Sequence, residues 1–225
     1  KDVPRDLRGQ TVIVMDAGPP PELEMAGSAC AGCLSFEMSI GDDLLLVNAG
    51  RPAASEPRAR ALARATASHN TLCLNEQSSS QLVRNPRLEQ EIGAVPIRHP
   101  DVVKSEVREE AGGIAVEASH DGYVERFSLM HTRKLQLDAA GARLDGTDTL
   151  SGGKGVLRFA WDLPFAIHFH LHPDAEASIG QTPDVVDLAL ETGEHWRLSV
   201  TGAAISIEDG TYYADVGGAQ PAQQV

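Results

Sequence analysis

The chain has 225 residues, of which 42% are apolar and 23% charged, and its formal net charge is −13. That length suits one large β domain or two small ones; no apolar run approaches the roughly 20 residues of a membrane-crossing helix, and the acidic balance argues against nucleic acid or an anionic lipid surface as partner. Cys30, Cys33 and Cys73 are too few, and odd in number, for a disulfide framework.

The opening stretch KDVPRDLRGQ has neither an initiator Met nor the apolar core of a signal peptide and reads as the start of a fragment. Strand character then recurs at Thr11–Asp16, Leu34–Ile40 and Leu44–Val47, bounded by Gly, Pro, Asp and Asn. Glu56–Ala67, rich in Ala, Arg and Leu, is the single helix expected. Further strands are expected at Ile114–Ala118, Phe127–Leu137, Leu157–Trp161, Ala166–His172, Val185–Leu190, His195–Val200 and Ala203–Ile207. In GIAVEASHDGY, Ile114, Val116 and Ala118 alternate with polar neighbours, as in a strand with one wet face. Without a strand-helix alternation, the pattern predicts an all-β fold, an antiparallel two-layer β-sandwich with little helix, as a single domain over 1–215. The last residues, 216–225, have no strand or helix pattern and are expected to form a flexible tail.

Three groups of residues carry chemistry. Arg51, Arg58, Arg60 and Arg64 crowd the stretch before His69, with Glu56 the sole acid among them. Guanidinium groups bind carboxylate or sulfate in a fork, so a basic loop leading to an imidazole suits an acidic-sugar site; the alternative is a solvated loop with His69 capping a strand. His168, His170 and His172 recur at every second residue, which on a strand places them on one face and could offer nitrogens to zinc. Their ~7 Å spacing would require a bulge or particular rotamers, and the alternative is a polar strand face. His120-Asp121-Gly122-Tyr123 reads either as a turn or as a metal or substrate contact; Tyr123 could equally be a core aromatic. His131 could approach the same face, while His99 and His195 read as ordinary surface or strand residues. No zinc-finger spacing, G-x-S-x-G elbow, phosphate-binding GKS or GKT loop, or GxGxxG turn is present, and Ser151–Gly155 reads as a hairpin loop.

Four stretches, DAGPPP with AGCLSFEMS, ASHNTL, SHDGYVERFSLMHTRKLQL and FHLHP, together resemble the heparinase II/III-like family in content and order, spanning Asp16 to Pro173. The resemblance implies the C-terminal β-sandwich of a polysaccharide lyase whose α-helical toroid lies N-terminal to it, so the chain is expected to be a C-terminal fragment, inactive or nearly so alone. It implies β-elimination on acidic, uronate-containing polysaccharide, with His69 as the catalytic acid/base or charge-neutralising group; Arg58, Arg60 and Arg64 of the basic stretch, with Asn70 and Tyr123, are the candidate substrate contacts. A sandwich zinc ion is implied in some members, with His120 and Asp121 the counterparts here, and His170 and His172 of the HFHLH run are separate candidates from their spacing; Thr71 stands where a further metal-ligating His would follow the His-Asn pair. The resemblance also points to the periplasm, and the face that would meet the toroid would favour a homodimer. Two other readings stay open: a non-catalytic acidic-sugar-binding or structural module, and a cupin-like metal-binding protein built on the HFHLH strand.

Overall fold

The computed structural model describes residues 10–21, 23–83, 85–110, 112–152, 163–215 and 217–225. The fold is an all-β sandwich of antiparallel sheets. β1 (Thr11–Met15), β2 (Phe36–Ile40) and β3 (Asp43–Leu46) form one sheet in that order. The chain then passes through α1 (Pro57–Ala63), β4 (Leu72–Leu74), β5 (Gln81–Leu82), α2 (Pro86–Ile92) and β6 (Pro96–Arg98). The longest strands follow: β7 (Val103–Glu110), β8 (Gly113–His120), the short α3 (Val124–Phe127), β9 (Leu129–Asp138) and β10 (Leu144–Gly152). They make a four-stranded sheet ordered β10-β9-β8-β7. β11 (Phe165–Ile167) pairs with β4, and β12 (Ala175–Ile179), β13 (Val185–Leu190) and β14 (His195–Ser199) form another sheet. β15 (Glu208–Ala214) and β16 (Gly218–Gln224) close the chain as a hairpin.

The main core lies where alternate residues of several sheets meet: Phe36 and Met38 of β2, Leu45 and Leu46 of β3, Leu135 of β9, Ala175 and Ala177 of β12, and Val186, Leu188 and Leu190 of β13. Burying side chains of this size stabilises by about 1.5–3 kcal/mol each, against the entropy of ordering them. A second cluster of Leu72, Leu74, Tyr123 and Leu129 backs β4.

Several expectations are revised. Residues 218–224 are a strand, not a flexible tail: β16 pairs from Ala214↔Gly218 to Glu208↔Gln224 across a turn at Gly217 and Gly218, and Val225 exchanges hydrogen bonds with Phe169. Its stability comes from the ladder, which polar Gln and Ala side chains do not advertise. The helix is shorter than expected: it ends at Ala63, and Ala65 is extended before the 3-10 turn Thr66–Ser68, where Thr66 Oγ1 donates to the Ala31 carbonyl at 2.6 Å and accepts from the Ser79 amide at 2.9 Å. Ala203–Ile207 joins no ladder, although Ile205 and Ile207 pack on the core. Ala166–His172 is not one strand either, since β11 ends at Ile167 and only isolated bridges follow, at His170 and Leu171. The expected strand at Leu157–Trp161 lies outside the described residues.

Candidate functional site

His69 follows the 3-10 turn Thr66–Ser68 in extended conformation and is 8% exposed. Its Nδ1 lies 2.8 Å from the Ala65 carbonyl oxygen. A carbonyl can only accept, so Nδ1 carries the proton and Nε2 keeps a lone pair. Among the described residues nothing bonds that Nε2. Burial lowers the His69 pKa, partly opposed by the Ala65 hydrogen bond and the Glu37 charge, so the ring is neutral at neutral pH. Its other wall is Gly32: a Cβ there would stand 2.6 Å from His69 Cδ2.

The turn carrying the ring is held from several sides. Asn70 Nδ2 donates to the carbonyls of Phe36 (2.9 Å) and Val47 (3.1 Å), and Oδ1 accepts from the His170 amide (2.6 Å). The Asn70 amide donates to Asn48 Oδ1 at 3.0 Å, and Thr71 Oγ1 donates to the Cys33 carbonyl at 3.1 Å. Asn48 in turn holds Glu37, whose Oε1 accepts from both its amide and its Nδ2 at 3.0 Å. Glu37 and Asn48 were missed in the sequence, where a Glu in FEMS and an Asn in VNAG look like ordinary polar neighbours of strand residues.

The expected substrate contacts separate into two kinds. Arg58 is exposed on α1 and Arg60 is half-buried in its last turn. Arg64 is buried, with Nη2 on the Gly27 carbonyl and Nη1 without a partner among the described residues. Asn70 is fully buried with its side chain committed to backbone, and Tyr123 is fully buried with its hydroxyl donating to the Leu72 carbonyl at 2.8 Å. Asn70 and Tyr123 therefore hold the fold rather than face a sugar, and Arg64 spends one arm on the Gly27 carbonyl.

The expected metal ligands do not converge. His120 is buried, its Nδ1 accepting from the Gly122 amide (3.0 Å) and its Nε2 3.1 Å from His131 Nδ1. The Asp121 carboxylate accepts from the Val102 amide at 3.1 Å. His170 Nε2 lies 2.9 Å from the Ala67 carbonyl oxygen, whereas His172 sits beside Asp174 and Tyr212. His168 and His170 stack at 5.9 Å, but the break in the strand leaves His172 apart from them. Among the described residues no three His, Cys, Asp or Glu side chains gather as a metal requires. The donor set among the described residues does not fit zinc.

The comparisons with known proteins agree with this architecture. The family described as "Heparinase II/III-like, C-terminal" matches residues 4–225. The chain is 29% identical over 227 residues to FtsZ-localized protein C of Caulobacter vibrioides (strain NA1000 / CB15N), covering 97% of this chain and 38% of that protein. Among solved structures, a mutant of the heparan sulfate lyase HepC from Pedobacter heparinus superposes with a TM-score of 0.69 at 16% identity, over 95% of this chain and 30% of that one. A heparinase III gene product superposes with a TM-score of 0.66 at 14% identity, over 95% and 29%. The chain thus spans about a third of the length of these relatives, and at such identities the structural likeness concerns the fold.

Proposed function

The chain belongs to the heparinase II/III-like C-terminal family, and from that premise we propose that it is the β-sandwich part of a lyase cleaving uronate-containing polysaccharide by β-elimination, with His69 as its acid/base group. The reaction removes the proton beside the uronate carboxyl group, forms a double bond to C4 and expels the C4 oxygen, which must gain a proton. It needs a base, an acid and a stabiliser for the enolate-like charge. The observation that carries the reading is the His69 ring: neutral, fixed at Nδ1 by Ala65, with the Nε2 lone pair uncommitted among the described residues. Such a nitrogen can take the proton and, as imidazolium, return one to the leaving oxygen. Arg58 and Arg60 would attract the acidic sugar to this corner. The remaining catalytic groups would come from a helical domain, as the family resemblance implies, so this chain alone would be inactive.

The test is to incubate the natural protein with a panel of acidic polysaccharides and follow the ultraviolet absorbance of the unsaturated uronate product. A rise is expected with at least one of them. No rise with any would favour the second reading, which the likeness to FtsZ-localized protein C supports: a non-catalytic, sugar-binding or structural module in a protein that localises with FtsZ. The lyase reading also places the protein in the periplasm, and recovery in the cytoplasmic fraction would contradict that.

A further inference from the structure

β9 turns Leu129, His131, Arg133 and Leu135 inward, and all four are buried. Arg133 is 1% exposed and forms a two-pronged ion pair with Asp148, directly opposite on β10, at 2.8 Å from Nε and 2.9 Å from Nη2. Asp148 Oδ1 also lies 2.6 Å from His131 Nε2. The row continues through His131 Nδ1 and His120 Nε2 to the Gly122 amide. Its proton direction is fixed from that end: an amide can only donate, so His120 carries its proton on Nε2, His131 carries its own on Nε2, and the row ends on the Asp148 carboxylate. Every ring nitrogen of the pair is used, and both imidazoles are neutral. Burial would raise the Asp148 pKa, but the hydrogen bonds from His131 and Arg133 and the Arg133 charge hold it at about 2.

The remaining arm of Arg133 reaches the site. Nη1 donates to the Asn70 carbonyl at 2.6 Å and to the Leu34 carbonyl at 3.0 Å, and the guanidinium carbon lies 5.7 Å from the centre of the Phe36 ring. Leu34 is fully buried at φ 63°, a conformation that costs a branched residue free energy and persists only where its surroundings impose it. The two segments that Arg133 joins, 32–34 and 69–71, are those between which the His69 ring is confined: Gly32 faces it, and Thr71 bonds Cys33.

We propose that Arg133, oriented by Asp148 and the His131–His120 pair, is the positioning residue that aims the His69 imidazole. Its bearing on turnover rests on the lyase reading; its bearing on the ring does not. The test is nitrogen-15 NMR of the histidine rings in this chain, comparing wild type with D148N, R133Q and the paired variant R133M/D148L, which removes both charges together. Wild type should show His69 as a single Nδ1–H tautomer. In the folded variants that signal should be lost to a mixture of tautomers, while the methyl spectrum of the main core is retained. If the natural protein is a lyase, the same variants should lose turnover by about 100-fold, as expected for a reacting group displaced by about 1 Å, with KM little changed. A folded variant that keeps the single Nδ1–H tautomer overturns the proposal. So does failure of all three to fold, because the network would then serve folding alone. A wild-type protein without lyase activity would remove the functional reading and leave the ring measurement intact.

Discussion

His69 and the His120–His131 pair are buried imidazoles of the same sandwich, both with pKa values lowered chiefly by burial, yet they are built for opposite ends. In the pair, each ring nitrogen has a partner, and the row runs from a backbone amide to a carboxylate. In His69 one nitrogen is tied to a carbonyl and the other has no partner among the described residues. A proton can be exchanged with a substrate only at the second kind of ring. Burial and a shifted pKa therefore do not separate a structural histidine from a reactive one, whereas the inventory of donors and acceptors does.

The largest effect is expected at Arg133. R133M alone should destabilise the domain by about 3–5 kcal/mol, because it leaves the Asp148 charge buried without its partner; adding D148L should restore much of the loss. Urea unfolding of the three proteins measures this, and an R133M protein as stable as wild type would show the network to be idle. A second test uses acid. The folded pKa of His120 is lowered to about 3, so the unfolded chain binds a proton below about 6.5 that the folded chain refuses. Stability should therefore fall as the pH drops, by about 2 kcal/mol from His120 alone between about pH 7 and about pH 5. A flat profile over that interval would contradict the sealed row.

Gly32→Ala sharpens the contrast from the side of His69. The added methyl meets the ring at its Cδ2, and overpacking of this kind costs about 1–3 kcal/mol. Ring displacement should also weaken the Nδ1 bond to Ala65, visible in the ring's nitrogen shifts. The smallest effect is expected at His172, whose side chain is 19% exposed and packs beside Asp174 and Tyr212: H172A should cost about 1 kcal/mol.

Much of the scaffold is legible in the amino-acid order, because β2, β9 and β13 bury alternate residues and period-two patterning reports that directly; β8 departs from the expected alternation, with Ile114 53% exposed while Ala115, Ala118 and His120 are buried. The hairpin of β15 and β16 is not, since its strands are polar and their pairing is a property of the ladder. His69 stands out through the arginines before it and the family resemblance. The roles of Asn70, Tyr123 and Arg64 do not, because a side chain's commitment to distant carbonyls has no signature in its own neighbourhood. Arg133 left one clue: with His131 it sits in register with Leu129 and Leu135, on the face of β9 that should be apolar. Two polar residues at inward positions announce a buried network, but its partners, His120 and Asp148, emerge only from the strand register.

The most direct measurement is the turnover of H69Q in the natural protein, on the acidic polysaccharide that the wild type cleaves. Because the His69 ring contributes one hydrogen bond to the fold, the variant should stay within about 1 kcal/mol of wild-type stability and still bind the sugar. Formation of unsaturated uronate should be lost under those conditions. A folded H69Q protein that cleaves at the wild-type rate would contradict this.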